Sequence, residues 1–240
     1  MNKVKINIKW FIWLDVIIGT LATLFLGIGS AIHKLPFGAN DVFAFVTGGL
    51  CVWLLVKKNI WTWPIGILNG GSFVLLFWRL HLYADAAINF MYIILGFWGW
   101  YAWKHVNKKK VERVIAKVKY PEHITLFILM VIGTYFMQIH LKEIKDSSPF
   151  WDALTTSISL VATWLQTRKY IENWYWWIAA DVIYIPLYFV KHVPLTAILY
   201  ILFMAMCFQG LWVWRKSIKI TRSKVVTLDN IEVEVPNVNI

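Results

Sequence analysis

Two stretches decide how this chain is built: VWLLVKKNIWTWPIGI, residues 52–67, and TWLQTRKYIENWYWWI, residues 163–178. Laid over one another at an offset of 111 residues, they set Trp53 on Trp164, Leu54 on Leu165, Lys58 on Lys169, Ile60 on Ile171 and Trp63 on Trp174. The same register runs on without a gap, from Asp41 on Asp152 to Ala86 on Ala197, Gly99 on Gly210 and Trp103 on Trp214. A Trp-rich chain returns some such matches by composition. Matched apolar runs on both sides of a basic turn are harder to obtain that way, so the register reads as an internal duplication.

The surrounding chain is too apolar for water. Its 240 residues are 59% hydrophobic and 15% charged, with 16 Trp, 15 Phe and 10 Tyr, where a soluble domain carries about 25% charged residues. Disorder, a secreted disulfide scaffold and nucleic-acid binding all fit poorly, despite the formal charge of +11. Cys51 and Cys207 fall inside apolar runs and form no ligand cluster. The chain reads as an all-α integral membrane protein.

A helix needs roughly 20 apolar residues to cross the hydrocarbon. Eight segments qualify or nearly so: 10–32, 41–56, 60–78, 83–103, 124–139, 151–166, 174–190 and 194–214. With both termini in the cytoplasm, the cytoplasmic segments hold 19 of the 24 Lys and Arg and the outer ones 5, as the positive-inside rule requires. The charge is thus chiefly an orientation signal, with anionic headgroups as its partner. Lys224–Val235 alternates β-branched and polar residues, which predicts a small hairpin or a disordered tail.

Each copy of the duplication then contains three spans, and one span lies between the copies. Corresponding spans are four apart and run the same way across the membrane, as in parallel repeats. The organisation expected is an extra N-terminal helix (1–36), a first three-helix repeat (37–104), a loop and linker helix (105–147), a second repeat (148–215) and a cytoplasmic tail (216–240). Two such bundles facing one another generate a pathway on their common axis, which favours a transporter over an enzyme. No HExxH, P-loop, GxSxG or CxxC motif is present, and no metal or cofactor is expected.

Polar residues far from the interfaces are the informative ones in such a chain. Asp41 and Asp152 start their spans and suit helix caps; Asp85 lies near a span end, within range of Arg79. Asp181 differs, because it falls at the middle of its span, and Trp174, Trp177, Tyr184 and Tyr188 share its helical face. A carboxylate among aromatic rings suits a flat ligand with hydroxyls or delocalised positive charge. A protonated Asp hydrogen-bonded between helices is the simpler possibility. Matching faces elsewhere are Asp85, Asn89, Tyr92, Gly96 and Gly99 in the fourth span, and Asp152, Thr156, Ser159 and Thr163 in the sixth. Asn69 lies inside Gly66-xxx-Gly70, a spacing that more simply serves close helix packing.

The blocks WTWPIGILNG (61–70), LYADAAINFMY (82–92) and GFWGWYAW (96–103), with 152–188 and 195–214, resemble the PnuC family of nicotinamide riboside transporters. The resemblance covers roughly residues 40–215. It implies a SWEET-like 3+1+3 bundle, eight spans in all with the added first helix, in a bacterial inner membrane. It further implies facilitated diffusion of the riboside by alternating access, trapping by a cytoplasmic riboside kinase, and no catalysis. On this reading Trp164 and Trp177 sandwich the ring, Asn89, Asp181 and Tyr200 bind amide or ribose groups, and Tyr92, Tyr184, Tyr188 and Asn69 line the pathway. One departure stands out: the family often has Gln where this chain has Asn89, which keeps thiamine and riboflavin open as cargo. A proton-coupled carrier and a scaffold that moves nothing also fit the sequence, and a homo-oligomer is compatible with it.

Overall fold

The computed structural model describes residues 39–79, 81, 83–105, 114–190 and 194–233. These form seven helices: α1 (Ala39–Val56), α2 (Thr62–Arg79), α3 (Tyr83–Lys104), α4 (Tyr120–Glu143), α5 (Pro149–Thr167), α6 (Asn173–Val190) and α7 (Pro194–Val233). No strand occurs among the described residues; one isolated parallel bridge joins Ala116 to Tyr170. The first expected span, 10–32, lies outside them.

Six of the helices close a ring. α1 packs on α2, α2 on α3, α3 on α5, α5 on α6, α6 on α7, and α7 returns to α1. α4 stands outside and packs on α5. Its exterior suits lipid: Phe127, Leu129, Val131, Ile132, Tyr135 and Phe136 are all exposed. Among the described helices it is the one long and apolar enough throughout to cross a membrane by length and composition alone, with a mean hydropathy of 1.8. α5 alone buries Thr155, Ser157, Ser159, Thr163, Gln166 and Thr167.

Residues 111 apart make equivalent contacts. α1 ends with Lys58 at φ 60° and α5 with Lys169 at φ 57°, the left-handed position that usually goes to glycine. Lys58 N donates to Leu55 O and Asn59 N to Leu54 O; Lys169 N donates to Gln166 O and Tyr170 N to Leu165 O. Each pair of bonds is a Schellman closure of the last turn. A lysine there costs roughly 1 kcal/mol over glycine. Its side chain offsets this by reaching the other half of the ring: Lys58 Nζ donates to Ser217 Oγ at 2.8 Å, and Lys169 Nζ lies 4.4 Å from the Trp103 ring centre.

The core at this basic end is a tryptophan cluster. Trp63 meets Trp103 edge-on at 5.4 Å, and Trp174 meets Trp214 at the same distance and the same 87° interplanar angle. Gly99 and Gly210 make room for them: a Cβ would lie 2.3 Å from the Trp63 ring at one site and 2.4 Å from the Trp174 ring at the other. The two halves are then cross-linked reciprocally. Trp103 Nε1 donates to Gln166 O at 3.2 Å, and Trp214 Nε1 donates to Leu55 O at 3.3 Å.

Three expectations are corrected. The chain beyond Ser217 is neither hairpin nor coil through Val233, because α7 runs on for 40 residues; extending an existing helix avoids the nucleation cost that β-branched residues would have to meet alone. Asp152 is not a cap, since Ser148 takes the N-cap position and Pro149 begins the helix with its φ already set. Asp85 makes no ion pair with Arg79 among the described residues, and its charged neighbour is instead Asp146.

Candidate functional site

Within the ring, α3, α6 and α7 bring tyrosines together beside the Ser and Thr hydroxyls of α5. Tyr200 of α7 stacks on Tyr184 at 4.5 Å and on Tyr188 at 5.2 Å, both from α6. The two α6 tyrosines, one turn apart, stack on each other at 5.9 Å, and Phe203 closes the group edge-on against Tyr200. Tyr92 of α3 and Tyr184 both engage the Ser159 hydroxyl, and Tyr184 also engages Thr155. Tyrosine serves this geometry because its ring packs among apolar helices while its hydroxyl finds a polar partner.

Asp181 lies one turn from Tyr184 on α6, only 3% exposed. Its carboxylate accepts a hydrogen bond from the Cys207 thiol at 3.7 Å. That is a weak donor for a buried acid, so the group retains acceptor capacity for something stronger. The setting can hold a cation or a pair of hydroxyls against Asp181, with tyrosine faces beside it.

The other expected residues divide. Trp177 packs on the tryptophan cluster, and its Nε1 donates to Gln166 Oε1 at 3.4 Å. Trp164 belongs to a separate cluster with Leu126, Met130 and Ile158, and the Arg168 guanidinium lies 4.9 Å from its ring centre. The two rings of the expected sandwich therefore stand in different packing environments. Asn89 Nδ2 donates to Asp85 O within its own helix. Asn69 Nδ2 donates to Thr47 Oγ1 at 2.7 Å, tying α2 to α1. Gly70 of α2 and Gly96 of α3 serve close packing: a Cβ on Gly70 would lie 3.2 Å from Ile93, and one on Gly96 would lie 2.8 Å from Ile67.

Sequence reasoning passed over Cys207, Phe203, Thr155 and Gln166. The duplication held a signal for most of them, in positions where the copies disagree: Cys207 stands against Gly96, Thr155 against Ala44 and Gln166 against Leu55. Tyr184 and Tyr188 likewise stand against Phe73 and Phe77, which stack at 5.7 Å in the first half. Most of these hydroxyls thus belong to the second half, while the first half contributes Tyr92 in register with Phe203.

A ring of apolar helices around a buried acid and a tyrosine stack, closed at one end by tryptophans, defines a multi-pass membrane transporter. The family model described as nicotinamide mononucleotide transporter matches residues 39–216, and the chain belongs to that family, the PnuC transporters. It is 24% identical over 236 residues to the nicotinamide riboside transporter PnuC of Escherichia coli (strain K12), covering 85% of this chain and 99% of that one. It is also 27% identical over 180 residues to the PnuC of Haemophilus influenzae, covering 73% and 79%. With the riboflavin/roseoflavin transporter RibM of Streptomyces davaonensis it shares 23% identity over 179 residues, covering 73% and 84%. Among solved structures, the crystal structure of the vitamin B3 transporter PnuC superposes with a TM-score of 0.63 at 26% identity, covering 84% of this chain and 92% of that one.

Proposed function

We propose that this protein carries nicotinamide riboside into the cell across a bacterial inner membrane, by facilitated diffusion and alternating access. The observation that carries the reading is the buried Asp181 beside three stacked tyrosines. The riboside joins a cationic pyridinium to a ribose, and a carboxylate with aromatic faces complements both. Tyr200, Tyr184 and Tyr188 would face the ring, Asp181 and Tyr92 the charge or the ribose hydroxyls. Trp177, Asn89 and Asn69 are assigned the rest of the wall, and Trp164 a supporting place behind α5.

The same group of side chains favours the riboside over the mononucleotide in the family's description. A phosphate would bring up to about two negative charges toward Asp181. Among the described residues, the groups acting on Asp181, Tyr184 and Tyr200 are hydroxyls, a thiol and carboxylates, none of them basic. Desolvating uncompensated like charges together is strongly unfavourable.

The wider assembly follows from this reading. The matched contacts 111 residues apart support two parallel three-helix repeats joined by α4, a 3+1+3 bundle with an eighth span supplied by the N-terminal segment. The basic end would face the cytoplasm together with both termini, and a riboside kinase there would trap the cargo. A homo-oligomer would leave the ring of each protomer intact.

Uptake of labelled nicotinamide riboside into proteoliposomes, competed separately by nicotinamide mononucleotide, thiamine and riboflavin, tests the assignment. Competition by unlabelled riboside with little by the other three is the expected result. Competition by thiamine or riboflavin alone would replace the cargo. Counterflow without an added energy source separates a carrier from a scaffold, and indifference to a pH gradient separates facilitated from proton-coupled transport.

A further inference from the structure

Gln166 touches both halves of the machinery described above. Its backbone oxygen accepts from Lys169 N and from Trp103 Nε1, so it belongs to the tryptophan closure at the basic end. Its side-chain oxygen accepts from Trp177 Nε1 at 3.4 Å, and Trp177 lies one turn before Asp181 on α6. One buried residue, 7% exposed, thus connects the face that carries the acid with the aromatic closure.

The link occurs in one half only. The backbone part has a counterpart, since Leu55 O accepts from Lys58 N and Trp214 Nε1 in the same way. The side-chain part has none, because the residues in register with Gln166 and Trp177 are Leu55 and Gly66, which offer neither acceptor nor indole. A duplicated closure has acquired a single polar tie on the half that also carries Asp181, Tyr184, Tyr188 and Tyr200. Closing the ring does not require it, as the first half achieves the same geometry without it.

We propose that Gln166 is a positioning residue that couples binding of a solute beside Asp181 to release of the tryptophan closure. A solute settling against Trp177 shifts its indole, and the Gln166 amide passes that shift to the end of α5, where Trp103 is held. Equilibrium affinity then owes little to Gln166, while the rate of carrying owes much. This rests on the transport reading above.

The test uses the full-length protein with nicotinamide riboside as probe. Equilibrium binding is measured in detergent and counterflow in proteoliposomes, for the wild type, Gln166→Met and Gln166→Glu. Met keeps the length and the backbone oxygen but removes the side-chain acceptor; Glu keeps the acceptor. For Gln166→Met the expected result is a Kd within about threefold of wild type and a counterflow rate lower by about tenfold or more. Gln166→Glu restores the rate to within about threefold. A Met variant that carries at the wild-type rate overturns the proposal. So does equal impairment of Met and Glu, which would mark a merely structural role, and so does a parallel loss of binding and rate in Met, which would make Gln166 part of the binding wall. If the wild type itself neither binds nor carries the riboside, the transport reading fails first and the coupling with it.

Discussion

A carboxylate taken out of water among helices is tolerated when something replaces its hydration. At Asp181 the described partner is one thiol at 3.7 Å, much less than a carboxylate can accept. A cationic, hydroxyl-bearing solute would supply what is missing. Asp181→Asn keeps the size and removes the charge, so the affinity for nicotinamide riboside should fall about 10- to 100-fold, the usual worth of a charged hydrogen bond. Isothermal titration on the purified protein measures it. Unchanged affinity would leave Asp181 with hydrogen bonding alone. Tyr200 allows a second test, because its ring lies against both Tyr184 and Tyr188. Tyr200→Phe preserves the stack and should cost at most about threefold in Kd, whereas Tyr200→Leu removes an aromatic contact of about 0.5–1.5 kcal/mol and should cost more. Equal losses would place the recognition in the hydroxyl instead of the ring.

Helix packing at the basic end is set by two glycines that admit two tryptophan rings. Gly99→Ala and Gly210→Ala each push a methyl group into an indole, and each should destabilise the protein by about 1–3 kcal/mol. The two losses should be alike, as read by thermal unfolding of the detergent-solubilised chain. Gly49 and Gly71 are the controls: a Cβ there meets nothing within 4 Å, and alanine should be neutral or stabilising by up to about 1 kcal/mol. Strongly unequal losses at Gly99 and Gly210 would argue against equivalent halves. Apolar runs and basic turns made the helix boundaries legible to within a few residues, from α1 to α6. The sequence was misleading where a local rule met a longer-range one. Asp152 suggested a cap, but Ser148-Pro149 had already started the turn, and the β-branched residues after Ser217 yielded to continuation of α7. At the site, Asp181 and its tyrosines were readable from helical spacing on one element. Gln166 was not, since its role depends on α3 and α6 arriving on either side of α5, a matter of packing that periodicity does not encode.

At the scale of the whole molecule, the distribution of charge and the nature of the cargo combine into one expectation. Lys58, Lys104, Arg168, Lys169 and Arg215 flank the tryptophan closure, and in the proposed topology the positive-inside rule would turn that end toward the cytoplasm. Lys142 and Lys145, at the far end of α4, would then face outward. A cysteine replacing Lys145 should react with a membrane-impermeant maleimide on intact cells, and one replacing Lys219 only after permeabilisation. The opposite pattern would invert the topology. A carrier so oriented that binds a cation at a carboxylate, and moves no compensating ion, carries net charge with each solute. One elementary charge is worth about 2.3 kcal/mol per 100 mV, so an inside-negative potential of that size should favour accumulation of the free riboside about 50-fold at equilibrium. Proteoliposomes holding a potassium diffusion potential provide the measurement. Accumulation that ignores the potential would mean that Asp181 takes up a proton for each riboside released and returns it, making the cycle electroneutral, and would move the assignment from uniport to exchange against protons.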